Sequence, residues 1–421
     1  MPCIYMPAIF YQSGALVTAL LWVVYGVISI YVNLLIIQGM KLIKGNEDYR
    51  LSIEYVGLFK ELFGRKAFIA FECVYLACLL CCNIYMIRTT SQTVDDVIRW
   101  IVGCPDCTFG VALYPAFSAG RLDMSQVYNR GSMYISITLG YVIVSLVQIL
   151  MGMLQFGAFT VIQSFGVLLV APVSVVALVY EFGRVGINKA VPLVGRDFSS
   201  TVSMIAFSLA IGGFMPAWVN QKRSYVDEKR VVFGVSLVSM VLNIVFPLLA
   251  VYAYGESLAS NISLFDHVLK TTDSVFVRCM IYLFEVTLVA SLTPINSITL
   301  KNNLFTESGL GRKLSIFFGV FFQYLISWAF LKENILMTLI QYVTLLLVSF
   351  VGFFFPIMIY YRSQSMYSKD GNVPESMSTV WPGWVVRQYR VVTTAVSVFL
   401  GASILGQLLY DLYVMVVLKR L

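Results

Sequence analysis

The residues that could do chemistry in this chain are few, and they sit in apolar surroundings. The run from Ser203 to Trp218 carries Ser208, the pair Gly212-Gly213 and Pro216 inside an otherwise apolar segment. Glycine loosens a helix and proline removes a backbone donor, so the run is expected to be a broken helix. Backbone groups freed inside a bilayer have to be satisfied by protein, water or a ligand. Broken helices near the midplane are where many transporters hold their substrates. The same composition also suits a kinked helix that binds nothing, because Gly and Pro are common in membrane helices.

Ionisable side chains within apolar runs are the second group. Each costs ~2.5–3.5 kcal/mol at the centre of a span, so each marks a candidate site. Glu285 lies midway along such a run and could carry a proton; Arg278, two helical turns earlier on the same face, could instead pair with it. Glu72 has Arg65 and Lys66 at hand and reads as structural. Arg88, near the end of its run, can snorkel to the interface. Cys104-Pro-Asp-Cys107 suits a local disulfide, and zinc would need a second pair. Cys73, Cys78, Cys81, Cys82 and Cys279 fall in apolar runs and act as small hydrophobes. The single histidine, His267, is placed in a loop. No predicted span combines paired carboxylates with His, a Cys/His nucleophile pair or a metal cluster. The sequence therefore supports neither an enzyme nor a metal or cofactor centre.

The elements that must position these groups are membrane spans. Of 421 residues, 59% are hydrophobic and only 12% charged, where soluble domains carry about 25% charged residues. The mean hydropathy is +0.82. A span needs roughly 20 apolar residues. An opening segment, Met1 to Phe10, is too short and is followed by a turn at Tyr11-Gln-Ser-Gly14. Full spans are then expected near 15–38, 67–89, 133–154, 158–180, 200–219, 231–254, 275–294, 314–330, 335–360 and 391–417. An interfacial amphipathic helix is expected over Ile53 to Phe63, and the longest loop over 90–132.

Connectors on one side hold 17 of the 29 Lys and Arg, which assigns that side to the cytoplasm. The net charge of +7 follows from that bias and needs no nucleic-acid partner. Asn261-Ile-Ser263, a glycosylation acceptor pattern, falls on the other side, close to the membrane edge. The partners expected from composition are the lipid bilayer and a small molecule.

Four stretches resemble the amino acid/auxin permease family, within the amino acid–polyamine–organocation superfamily. Met6-Pro-Ala-Ile-Phe-Tyr-Gln-Ser-Gly14 is similar to the outer half of the family's first helix. Glu61-Leu-Phe-Gly64-Arg, Glu72 and Cys82-Asn-Ile-Tyr85 resemble the approach to its third helix and the helix body. Tyr254-Gly-Glu-Ser-Leu-Ala-Ser-Asn-Ile-Ser-Leu264 resembles the segment after its seventh helix and is the most specific. Phe353-Phe-Phe-Pro356 resembles the motif of its tenth helix.

The resemblance implies an all-α polytopic membrane protein with a five-plus-five inverted-repeat transporter fold and an eleventh helix. A single transporter domain would cover 1–417, with a first repeat at 1–180, a second at 200–360 and the extra helix at 391–417. The inner half of the first helix, with its Gly-x-Gly break, would precede Met1, so the chain is expected to be truncated there. The broken run falls at the sixth helix, and the substrate would lie between the breaks of helices one and six. Exposed N–H groups there suit an amino acid's carboxylate, and freed carbonyls its ammonium.

The substrate-binding residues implied are Phe207, Ser208, Leu209, Ala210, Ile211, Gly212 and Tyr85. Leu209, Ala210 and Ile211 stand where many relatives have a polar residue or histidine, which implies an apolar-lined pocket. Ser291 and Thr293, with Glu285, are the candidates for coupling to H+ or Na+; their hydroxyls could instead bond back to their own helix. The expected function is secondary active symport of small neutral amino acids by alternating access. The alternative is a non-transporting amino acid sensor or membrane scaffold that keeps the fold. The membrane would be the plasma membrane or a vacuolar or lysosomal one.

Overall fold

The computed structural model describes residues 2–104, 106–114, 117–123, 135–187, 189–198, 201–258, 263–329, 344–369 and 388–413. They form two compact units, each drawing on both halves of the chain. The first holds residues 1–78, 182–270 and 341–421, and the second 79–181 and 271–340.

In the first unit, α1 (Pro2–Ser13) and α2 (Ala15–Leu42) are separated by Gly14 alone. Gly14 has φ 93°, a conformation that side chains with a Cβ rarely adopt. Helix α1 therefore runs on to Ser13, past the turn expected from Tyr11. Ser13 Oγ donates to Ile9 O at 2.7 Å and meets Thr18 Oγ1 at 2.7 Å, closing the corner. Backbone from 192–197 lies along it: Ala15 N donates to Pro192 O at 2.9 Å and Gly195 N to Ser13 O at 3.0 Å. A Cβ on Gly195 would stand 1.9 Å from Gln12 O, so only glycine fits this crossing.

Helix α2 carries no charge before Lys41 and is buried along most of its length, at the centre of its unit. Around it pack α1, the broken run described below, α9 (Glu228–Tyr254) and α13 (Leu346–Met366). Tyr31 of α2 shares a 3.0 Å hydrogen bond with Thr393 of α14 (Tyr389–Tyr413). Asp227 caps α9, accepting from Lys229 N at 2.9 Å. Only Gly57–Phe63 of the expected amphipathic segment is helical (α3). Its Phe59 is fully buried and stacks on Phe71 at 3.7 Å, so this face of the helix packs into protein.

Helix α4 (Arg65–Val102) begins in the first unit and runs thirteen residues past the expected end at Thr89. The polar stretch Thr89-Thr90-Ser91-Gln92-Thr93 reads as loop by hydropathy, but no helix breaker occurs until Gly103 and Pro105. In the second unit, α4 is followed by a three-stranded antiparallel sheet of order β2-β1-β3, made of β1 (Cys107–Tyr114), β2 (Ser118–Asp123) and β3 (Ile135–Thr138). The sheet is small, and the described chain is otherwise overwhelmingly helical, as the all-α expectation has it. A disulfide joins Cys104 to Cys107 where α4 gives way to β1.

Thr138 caps α5 (Leu139–Gly152), accepting from Tyr141 N at 3.2 Å. Asp95 of α4, 2% exposed, accepts from Gly140 N at 2.8 Å at the same helix start. Carboxylates are favoured at this positive end of a helix. The unit is completed by α6 (Phe156–Val185), α11 (Val275–Thr306) and α12 (312–329). Labels α7, α8 and α10 go to Thr201–Leu209, Met215–Val219 and Leu264–Thr271 of the first unit. His267 thus sits on a helix and not in a loop.

Eight described helices are long and apolar enough to cross a membrane. Helix α5 is shorter, and α12 carries Arg312 and Lys313 in its first turn. Part of the span expected at 335–360 and the end of that at 391–417 lie outside the described residues.

Candidate functional site

The run from Ser203 to Trp218 is broken in the structure. Helix α7 ends at Leu209, Ala210 and Ile211 lie outside any helix, a single tight turn covers Gly212–Phe214, and α8 follows with Pro216 in its first turn. Proline is tolerated there because the first N–H groups of a helix have no internal acceptor.

Freed backbone is satisfied largely by protein. Ser29 of α2 donates to Leu209 O at 2.8 Å, and Asn33 Nδ2 donates to Ser29 Oγ at 3.2 Å. Ile211 N also donates to Leu209 O at 2.9 Å. Tyr75 of α4 donates to Gly213 O at 3.0 Å. A Cβ on Gly212 would stand 3.1 Å from Ile36 Cδ1 and 3.2 Å from Gly352 O, and one on Gly213 3.1 Å from Tyr75 Cε2. The glycines thus let the break press against α2, α4 and α13.

This gives the break two faces. Leu209, Gly212 and Gly213 are buried, whereas Phe207, Ser208, Ala210 and Phe214 are half-buried and Ile211 is exposed. Of the predicted binding residues, Leu209 and Gly212 therefore serve packing with their side-chain positions. Ser208 Oγ donates back to Met204 O, one turn earlier on its own helix. Its hydroxyl is engaged there, and this corrects its expected role as a ready donor to a ligand.

The remaining candidates belong to the second unit. Tyr85 packs with Leu80 and Ile326 around Ile84, a core position. Glu285 opens a π-helical turn, Glu285–Val289, in α11, and residues 290–291 form a turn before α-helix resumes at Leu292. Arg278 donates to Thr272 O at 3.0 Å and lies over the Trp100 ring, 5.9 Å from its centre. Ser291 Oγ donates to Leu288 O at 2.7 Å and accepts from Gln163 Nε2 at 3.2 Å. Thr293 is fully buried, and its hydroxyl has no partner among the described residues. The two hydroxyls thus have different surroundings. Asn261 lies outside the described residues.

A buried polar network in the second unit was not foreseen. Asn296 Nδ2 donates to Asn83 Oδ1 at 2.7 Å, Asn83 Nδ2 donates to Gln323 Oε1 at 2.5 Å, and Gln323 Nε2 donates to Ser297 Oγ. Ser297 Oγ passes the chain on to Thr293 O at 2.8 Å. Beside it, Tyr324 donates to Gln148 Oε1 at 3.3 Å, and Gln148 Nε2 donates to Ala290 O at 3.0 Å, just after the π turn. Lys301 Nζ donates to Gly152 O and Leu154 O at 2.9 and 2.8 Å, a cation on the carbonyl end of α5. Each amide alone looks like an isolated polar residue in an apolar run; only the packing of α4, α11 and α12 joins them.

No protein-family model and no curated protein sequence matches the chain. Among the described residues no group of His, Cys, Asp and Glu is placed to hold a metal ion. Fold and composition define a class: a helical, multi-pass membrane protein with one small sheet.

Proposed function

We propose that the chain is a secondary active transporter of small neutral amino acids, working by alternating access and coupled to protons or sodium. The observation that carries this reading is the two-faced break at Ala210–Ile211. Its buried face is anchored to α2 and α4 by Ser29 and Tyr75, while Phe207, Ala210 and Ile211 line the other face. An anchored break keeps polar backbone at membrane depth without melting the helix, and that is what a zwitterionic substrate needs. Two units that each draw on both halves of the chain agree with an interleaved five-plus-five repeat.

Ala210 and Ile211 would give an apolar lining, hence the preference for neutral side chains. Glu285, with Ser291 and Thr293 beyond the π turn, remains the coupling candidate. Such π turns are frequent at functional sites.

A second reading, an amino acid sensor without flux, is favoured by one observation: the Leu209 and Gly213 carbonyls already have protein donors. Purified chain reconstituted in vesicles separates the two. The transporter reading expects labelled neutral amino acid to accumulate under an inward proton or sodium gradient. Binding without accumulation selects the sensor, and neither binding nor accumulation overturns both.

A further inference from the structure

Where α2 ends and α9 begins, the first unit forms an open cleft of about 490 Å³ whose lining is largely charged. Small-ligand sites typically span about 300–1,000 Å³. On its inner wall, Glu228 Oε1 accepts from Lys41 Nζ at 2.9 Å and from the Tyr49 hydroxyl at 2.8 Å, with Lys222 Nζ at 3.5 Å. Both ammonium groups also lie over the Tyr49 ring, 5.4 and 5.2 Å from its centre. At the rim stand Glu47, Asp48 and Arg50, with Arg50 and Asp48 paired at 3.1 Å and largely exposed.

The loop that shapes this cleft is built, not slack. Asn46 is fully buried, donates to Met40 O at 3.1 Å and accepts from Leu51 N at 3.0 Å. Asn220 Nδ2 donates to Ile53 O at 3.0 Å from the facing connector. Tyr49 is held at φ 60° and Ser52 at φ 48°, conformations that cost of order 1–3 kcal/mol each and persist only where surroundings enforce them. Burial and the Glu228 charge push the Tyr49 phenol up, so it stays protonated and donates. Hydrogen bonds from its own and the Gly45 backbone N–H hold the Glu47 carboxyl below its ordinary range, so it stays an anion.

An ammonium has three N–H donors, and Lys41 places one of them on Glu228. Lys222 Nζ also donates to Val226 O at 3.1 Å, so the inner wall carries two ammonium groups against one carboxylate, and the mouth carries Glu47 beside the Asp48–Arg50 pair. A simple anion would meet Glu47, Asp48 and Glu228 as like charges, and a simple cation would meet Lys41, Lys222 and Arg50. A molecule carrying both signs meets each with its complement. We infer that this cleft binds a small zwitterion: an anionic group set between Lys41 and Lys222, and a primary ammonium facing Glu47 and Asp48. Two sources share that chemistry, the phosphoethanolamine headgroup of a lipid and a free amino acid. The inference rests on the cleft alone and holds whether or not the break at Ala210–Ile211 transports.

The test is the thermal stability of the full purified chain in detergent, titrated separately with phosphatidylethanolamine, phosphatidylcholine and glycine. Phosphatidylcholine carries the same phosphate but a quaternary ammonium without N–H donors. The expected result is a saturable rise in Tm with phosphatidylethanolamine or glycine and none with phosphatidylcholine. Glu47→Gln combined with Asp48→Asn should weaken the response at least tenfold; both residues are at the rim, so the fold is retained. The titrations are repeated in Ile211→Trp, which fills the break, so that a response which persists there and is lost on adding the rim substitutions belongs to this site and not to that one. A response to the lipid alone assigns the headgroup, and a response to glycine assigns the free amino acid. No response to either, or one that is unchanged in the rim variant, overturns the inference.

Discussion

Two apolar helices of this protein are interrupted in different ways. The α7–α8 run opens outright: two residues leave the helix, and the carbonyls of Leu209 and Gly213 turn to side chains of α2 and α4. Helix α11 instead widens into a π turn at Glu285–Val289, turns at 290–291 and continues as helix. Its polar load is carried by side chains, from Thr293 through Ser297, Gln323 and Asn83 to Asn296. Gly212-Gly213 followed by Pro216 removes both the Cβ atoms and the donor that would hold the first run closed. No glycine or proline occurs between Glu285 and Thr293, so there the backbone only re-registers its hydrogen bonds. One break turns its freed backbone to neighbouring side chains; the other arranges side chains among themselves.

The comparison can be broken from either side. The largest effect is expected at the corner that carries the first run. In Gly195→Ala the new Cβ would meet Gln12 O at 1.9 Å, and overpacking of this kind costs about 3 kcal/mol. The yield of monodisperse protein by size-exclusion chromatography should fall sharply. Wild-type yield would show that the strap over Gly14 is not formed.

Second comes the side-chain network. Asn83→Ala strands the amides of Asn296 and Gln323 in a buried site, at a cost of about 2 kcal/mol. Combined with Gln323→Ala it should be non-additive, with a coupling of about 1 kcal/mol or more in a thermal-denaturation cycle. Additive losses would mean that the two side chains do not share a hydrogen bond.

Third, Tyr75→Phe removes one donor from Gly213 O and should lower stability by about 1 kcal/mol. Its larger consequence is expected in ligand binding, since the break loses an anchor. An unchanged Tm together with unchanged binding would argue that the break does not depend on α4.

The smallest effect concerns His267, whose ring packs edge-on to Tyr254, 4.7 Å between centres. Burial, and secondarily the Lys270 charge, hold its pKa below the ordinary value. The unfolded chain then takes up the proton first. The stability contributed by the neutral ring is complete above the ordinary histidine pKa and is lost as pH falls through the lower folded value. Hydrogen exchange in α10, normalised to the intrinsic amide exchange rate at each pH, should rise between pH 7.5 and 5.5, and less so in His267→Gln. Equal rises in both would remove the histidine from the account.

Much of the first break was legible in the sequence, because glycine and proline act locally. The position of the α7–α8 interruption and of the corner at Gly14 follow from such residues. What held them was not legible. Backbone from Pro192 to Asp197 closes the α1–α2 corner mainly through main-chain hydrogen bonds, which leave no side-chain signature beyond Gly195. Ser29 and Tyr75 looked like ordinary residues of apolar runs. The network was hidden for a related reason: Asn83, Asn296 and Gln323 stand on three separate spans. The strands at 107–114 and 118–123 were lost in what read as a loop, that at 135–138 in what read as the start of a span, and the last thirteen residues of α4 were lost because their polarity masked an unbroken helix. The Ser208 hydroxyl was misjudged because a serine in a helix can satisfy itself one turn back.

The central claim is that the exposed face of the first break is where substrate sits. Ile211 reports on it most directly, since it is exposed there and a larger side chain would fill the site without disturbing the core. Amino acid counterflow in reconstituted vesicles should be compared for wild type and Ile211→Trp, with Tm measured on both. The account predicts exchange in the wild type and at least a tenfold loss in the variant at nearly equal Tm. Equal exchange in the two proteins would contradict it.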